Sequence, residues 1–369
     1  MAHAVHTCAT FGTMLELGVQ AVFFPGGRMG ADRAVLRDFF TVLGFEGSCA
    51  DAARVVPIGH HGLYGLGFRL RLLKSFLEKP DVVHASSVKE ACLALRLRRL
   101  CRGGFPVGFE IHHLMSMQKS GKQAMRWLAL EREAFAGVDT VIFISGELKK
   151  MCAERGLDPV DSLILPNGYN DKTIRPLPIK LEKSDKTFTL AYLGSLQSGK
   201  GVENLLAAVK LLPPEFQLLV IGGKPESGLA ALKKQATDLG IGERVRFAGQ
   251  VAQMQCGALL SDCDAFVVPL DTDKNFFSPI KVFEALGFGL PIIATPMPTL
   301  REHLSDGKNA VFADSCAPAA LADAVLRLSG TPGLVRYMRE NNVQRSPMHS
   351  NTVRVRTLLA HYQGLLSVR

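Results

Sequence analysis

No apolar window of this chain approaches 18 uninterrupted residues, so a membrane-spanning helix is not expected. The opening MAHAVHTCATF has neither a basic stretch nor an apolar core, and no secretory signal is expected from it. The eight cysteines form no CxxC or CxxH pair, which argues against a zinc site and for reduced thiols in a cytoplasmic protein. Basic residues are not interleaved with aromatics as in RNA-binding modules, so no nucleic-acid partner is expected. Acidic charge is also in deficit: 34 Asp and Glu stand against 43 Lys and Arg, a net charge of +9. An excess of that sign implies an anionic partner. It is concentrated between Arg69 and Arg102, where nine basic residues outweigh Glu78, Asp81 and Glu90.

At 369 residues, 47% hydrophobic and 21% charged, the chain is an ordinary globular protein long enough for two domains. Short apolar runs alternate with longer amphipathic stretches, the pattern of α/β folds with parallel sheets. The strand candidates of the first half are VQAVFFP, DVVHAS, PVGFEIH, DTVIFIS and SLILPNG, separated by helical ADRAVLRDFF, KEACLALRLRRL and KQAMRWLALEREAF. The polar, proline-bearing segment Asp171–Lys186 reads as a linker. The alternation then resumes with FTLAYLG, FQLLVIGG, RVRFAGQ, DAFVVPL and LPIIAT. Two doubly wound, Rossmann-like domains are expected, over residues 1–172 and 173–345, with a helix in 346–369 returning to the first. Ligands of such folds lie at the carboxyl ends of the strands, here in a cleft between the domains. The first domain opens in a helix-like stretch where a strand and glycine loop are usual, so its first strand is expected upstream of Met1.

Two stretches of the second domain can carry chemistry. YLGSLQSGKGVENLLAAVKLL puts Gly194 at a strand end and Lys200-Gly201 at the opening of an amphipathic helix, where backbone N–H groups and a lysine suit a phosphate. FFSPIKVFEALGFGLPIIAT supplies Ser278 as an N-cap and Pro279 as the first helical residue. Lys281 and Glu284 share a face of that helix, and Gly287 and Gly289 are read as ending it. One carboxylate among so many apolar residues is better placed to bind sugar hydroxyls than to form a surface ion pair.

These stretches resemble the retaining glycosyltransferases of family 4 (group 1), of GT-B architecture, in their Ser-Pro-x-Lys-x-x-Glu variant. FEIHH, DTVIFIS and LPNGYN of the first half resemble that family's strand ends and linker signature. The resemblance implies transfer of a sugar from a nucleotide-diphosphate donor to a glycan or lipid-linked acceptor, with no metal or other cofactor. It implies that Lys200 binds the diphosphate and that Ser278, Pro279, Ile280 and Lys281 lie along the phosphates and sugar. Glu284 would hold the ribose, His112 would lie beside the transferred sugar, and Gly194, Ser195 and Gly249 would line the donor site. Phe276 stands where the family often has a second glutamate and Ser195 where it often has arginine, leaving more of the diphosphate charge to Lys200.

Weaker signals are set beside these. Asp271-Thr272-Asp273 matches a metal-binding triplet of another fold but reads as a solvated loop. The pairs His60-His61 and His112-His113 lack metal-ligand spacing. Arg244 and Arg246 read as solvated, and Gly65-x-Gly67 lacks a preceding strand. The basic helix LGFRLRLLKSFLEK, with LALRLRRLCRG beyond it, is a candidate contact for an anionic membrane surface. Nucleotide or glycan binding without transfer stands as the second reading, and an epimerase of similar architecture as a third.

Overall fold

The structure, a computed structural model, describes residues 2–23, 54–55, 73–178, 187–270 and 280–368. The described residues fall into two compact units: 2–167 with 351–368, and 168–270 with 280–350. The ADRAVLRDFF stretch, the first half of LGFRLRLLKSFLEK (66–72), His60-His61, Gly65, Asp271-Thr272-Asp273, Phe276, Ser278 and Pro279 lie outside the described residues. No described helix is long and apolar enough to cross a membrane.

In the first unit the chain enters through α1 (Ala2–Glu16). The short strands β1 (Val22–Phe23) and β2 (Arg54–Val55) then pair in parallel with each other. A four-stranded parallel sheet follows, in the order β3 (Val83–Ala85), β4 (Val107–Ile111), β5 (Thr140–Phe143), β6 (Ser162–Ile164). Every residue of β4 and β5 is buried, as parallel strands covered on both faces must be. The helices between them start where their sequences can cap them. Ser87 accepts from the Glu90 amide at the head of α2 (Val88–Leu100), and the Glu90 carboxylate reaches back to the Ser86 amide at 3.1 Å. Ser145 caps α4 (Gly146–Ala153) by accepting from the Leu148 amide, while α3 (Gly121–Gly137) packs Ala134 and Phe135 into the same core.

The last helix, α12 (Asn351–Ser367), belongs to this unit. Its Leu358 and Tyr362 join Ile142 and Leu165 in one apolar cluster. Gly108 of β4 makes room for it, since a Cβ there would lie 2.3 Å from the Tyr362 hydroxyl oxygen.

The second unit is built on six parallel strands: β7 (Phe188–Leu193), β8 (Phe216–Ile221), β9 (Val245–Gly249), β10 (Ala265–Val268), β11 (Ile292–Ala294) and β12 (Ala310–Phe312). Their spatial order is β12-β11-β10-β7-β8-β9, a doubly wound sheet whose winding reverses between β7 and β10. Alternate residues feed two cores. Leu190, Leu218, Val220 and Val267 face α5 (Val202–Leu211) and α10 (Pro318–Gly330), whereas Ala191, Leu219, Phe266 and Val268 face α8 (Ile280–Phe288). Each fully buried leucine or phenylalanine contributes roughly 1.5–3 kcal/mol.

Two local expectations are corrected. Gly289, at φ +75°, ends α8: its amide donates to Leu286 and that of Leu290 to Ala285, a Schellman closure. Gly287 lies inside the helix, where a Cβ would come within 2.9 Å of Ile174 and the Tyr169 ring, so it is glycine for packing. Arg244 is not simply solvated, because its guanidinium donates to the carbonyls of Leu212, Pro213 and Phe216 at the foot of α5 and β8. Burial there lowers its pKa.

Candidate functional site

In the second unit the phosphate-site candidates gather at the carboxyl ends of β7, β8 and β10. The segment after β7 turns back through Gly199 (φ +82°) and Gly201 (φ +73°) into α5. Gly201 has no substitute: a Cβ would fall 1.6 Å from the Pro269 carbonyl oxygen, just past β10. The head of α5 is therefore pressed against the end of β10, at the reversal point where doubly wound sheets bind their ligands. Lys200 immediately precedes this contact and is half-buried. Gly194 ends β7; its neighbour Ser195 has its carbonyl held by the Tyr192 hydroxyl at 2.7 Å. Gly222 passes so close that its Cβ would meet the Gly194 carbonyl at 2.1 Å, and the Gly222 amide donates to the carbonyl of Gly249. The structure thus brings Gly194, Ser195, Lys200 and Gly249 onto adjoining loops. Cys316 completes this wall, with its Sγ 3.0 Å from the Pro269 carbonyl and 3.3 Å from Asn204 Nδ2.

The helix that follows β10 carries the acid. Glu284 is only 3% exposed, among Val282, Phe283, Ala285 and Leu286. Lys281 Nζ donates to Glu284 Oε2 at 2.6 Å, but its side chain is 43% exposed. The pair therefore forms, and only its basic member reaches solvent. Gln253, on α7 (Gln253–Leu260), donates to Glu284 Oε1 at 3.1 Å and accepts from Thr173 Oγ1 at 3.0 Å. The carboxylate is thus oriented on both oxygens, and among the described residues two of its four acceptor positions are used, which leaves capacity for a diol. Gln253 was not singled out from sequence, because a glutamine at a helix start carries no local signal. Ile280 begins the described part of this helix.

Beneath Glu284, Phe283 packs its ring against two imidazoles, 4.8 Å from His303 and 5.1 Å from His349. Burial lowers both histidines to about 4, and His303 adds to the shift of His349.

In the first unit, FEIHH ends β4 with a second buried acid. Glu110, 2% exposed, has Oε1 2.8 Å from His112 Nε2 and accepts on Oε2 from Arg354 at 2.6 Å. His84, the central residue of β3, places Nε2 3.6 Å from the same Oε2 and Nδ1 2.6 Å from the Tyr362 hydroxyl. Burial lowers the pKa of His84, Glu110 opposes that shift, and Arg354 and His112 reinforce it. Burial also raises the pKa of the Tyr362 phenol that is hydrogen-bonded to His84. His84, Arg354 and Tyr362 lie far from His112 in sequence and were not foreseen as its companions.

The basic region is partly consumed by structure. Arg98 is paired with Asp139 at 2.5 Å and Arg96 with Glu133, while Lys89 lies over the Trp127 ring. Arg99 and Arg102 remain exposed. Among the described residues no cluster of three His, Cys, Asp or Glu is arranged to hold a metal ion.

A doubly wound sheet with phosphate-suited loops at its reversal point, beside a parallel α/β unit, defines the GT-B class of glycosyltransferase folds. Over 98% of its length the chain superposes on 96% of HepE from Anabaena, crystallised in complex with UDP, with a TM-score of 0.76 at 17% identity. Residues 174–345 match the glycosyl transferases group 1 and residues 13–173 match glycosyltransferase family 4. The chain belongs to the group 1, family 4 glycosyltransferases. It is 26% identical over 275 residues to the D-inositol 3-phosphate glycosyltransferase of Thermomonospora curvata, covering 64% of this chain and 63% of that protein. It is 30% identical over 172 residues to the phosphatidyl-myo-inositol mannosyltransferase of Mycobacterium leprae, covering 46% of this chain and 44% of that protein. The chain thus spans under two thirds of either relative.

Proposed function

We propose that the protein transfers a sugar from a nucleotide-diphosphate donor to an acceptor hydroxyl with retention of anomeric configuration, in the synthesis of an envelope glycan or glycolipid. The observation that carries this reading is the pairing, within one unit, of the Lys200–Gly201 turn packed on the end of β10 with the buried Glu284 on the helix that follows β10. Glu284 accepts the ribose hydroxyls, held ready by Lys281 and Gln253. Lys200 and the amides at the head of α5 face the diphosphate, with Gly194, Ser195 and Gly249 lining the approach and Ile280 beginning the described part of the second helix; Ser278 and Pro279 keep the contacts to phosphate and sugar that the family resemblance implies. A nucleotide diphosphate in HepE, and inositol-phosphate and phosphatidylinositol acceptors named for the two relatives, support a nucleotide-sugar donor and a polyol or lipid-linked acceptor.

The demanding event is departure of the diphosphate, because negative charge grows on the phosphate oxygens. Preorganised donors at that position are the main source of catalysis. Lys200 and the helix amides supply them without a metal. The bond from the anomeric carbon to the phosphate oxygen breaks, and the acceptor oxygen bonds to that carbon on the same face. The acceptor proton passes to a phosphate oxygen, so no protein nucleophile is required. The family resemblance, not a geometry between the two units, gives His112 its role toward the transferred sugar.

Glu284→Gln and Lys200→Ala should each weaken binding of a nucleotide sugar at least tenfold by calorimetry and lower turnover with it. Unchanged binding and turnover in both would sink the assignment. Binding without product, across a panel of donors and polyol or lipid acceptors, would replace transfer by recognition alone. The exposed Arg99 and Arg102, with Leu100 at 71% exposure between them, support contact of the first unit with an anionic membrane surface. Flotation with anionic vesicles should show salt-sensitive association, and its absence would remove the membrane from the scheme.

A further inference from the structure

The Glu110 network contains more than the proposed transfer uses. Arg354 is 3% exposed and each nitrogen of its guanidinium has a partner: Nε donates to the Pro166 carbonyl at 2.9 Å, and the two terminal nitrogens reach Thr10 Oγ1 and Glu110 Oε2. Three separate parts of the unit, α1, β4 and the turn after β6, are therefore indexed to one side chain of α12. The Glu110 carboxylate accepts Arg354 on one oxygen and holds His112 Nε2 with the other. His84 closes the ring of contacts, standing between Glu110 and the Tyr362 hydroxyl.

We propose that Arg354 is a positioning residue for His112: through Glu110 it fixes the orientation and the tautomer of the imidazole at the end of β4. With Glu110 held as a carboxylate by the arginine, His112 Nε2–H is the donor and Nδ1 is the other face of the ring. The arginine also balances the carboxylate charge, so that His84 is not drawn into the imidazolium form by an uncompensated anion. A ring held in one orientation matters to a reaction, because a misplaced group costs rate. Among the described residues, the groups facing the two histidines include Glu110 from β4, His84 from β3, Arg354 and Tyr362 from α12, and His113 next in the chain. This role rests on the proposed transfer reaction for its consequence, but not for its detection.

The test reads the ring directly, by 15N and 13C NMR of the full chain with labelled histidine. In wild type, His112 should show a single tautomer protonated at Nε2. Arg354→Met should raise the His84 titration midpoint and mix the His112 tautomers, whereas Arg354→Lys should restore the wild-type pattern. Should Arg354→Met not fold, the comparison moves to Glu110→Gln with and without Arg354→Met, where adding the second change must raise the His84 midpoint. Nucleotide-sugar affinity, measured beside it, should be unchanged, while kcat falls at least tenfold with KM for donor constant. Histidine signals indifferent to Arg354 would overturn the positioning role. Correct histidine signals with no transfer in wild type would instead overturn the reaction and leave the network as found.

Discussion

Two glutamates in this protein are buried to nearly the same degree and each is joined to a basic residue, yet they are built by opposite means. Glu284 takes its cation from the same helix, three residues back, and that lysine keeps much of its surface in water. Glu110 takes its cation from a helix 244 residues further along, and the arginine is as buried as the acid. The first arrangement is local and open, as expected of a carboxylate that exchanges partners with a ligand. The second is long-range and closed, and suits a carboxylate that holds other side chains still. Burial alone therefore does not separate a ligand-facing acid from a scaffolding one; the exposure of the partner does.

The comparison can be broken most directly through the cations. Removing one member of a buried ion pair strands its partner, so Arg354→Met should lower stability by about 3–5 kcal/mol in denaturant titration. A cost below 1 kcal/mol would mean that the Glu110 network is open after all. Acid tests the same contrast from the side of the histidines. His303 and His349, packed on Phe283 beside Glu284, sit below their unfolded values at about 4. Between about pH 6.5 and 4 the unfolded chain binds the extra protons. Their contribution is thus fully present above that window and lost as pH falls through it, by up to roughly 3 kcal/mol for each histidine. Stability measured against pH should flatten in a His303→Gln, His349→Gln double variant, and an unchanged slope would place the acid sensitivity elsewhere. The smallest effect belongs to Lys281→Met. With its solvated head lost and Gln253 still in place, the cost should be about 1 kcal/mol, read in the same titration.

The legibility of these features in the sequence follows the same division. The strands from β7 to β11 stand out as apolar runs because parallel strands under helices are covered on both faces. β12 spans only Ala310–Phe312 in a polar setting, too short for periodicity to mark. Glu284 was visible because its cap, lysine and glycines lie within a dozen residues of it. Gly287 was misread because a glycine placed for close packing and one placed for a turn look alike until φ and neighbours are known. Arg354 had no signature at all: RVRTLL reads as an ordinary amphipathic helix, and nothing local reveals that one of its charges is inside. The acceptor-side companions of His112 were hidden for that reason.

The span between Glu110 and Arg354 also sets a timetable. During synthesis the strand bearing Glu110 emerges well before the helix bearing its cation, and at about 5–20 residues per second the interval is roughly 10–50 s. Through that interval the second unit, whose described strands all fall between Phe188 and Phe312, is made while the first waits without the arginine of its Glu110 network. The first unit to begin is thus the last to close, and its final turn of the key is Arg354.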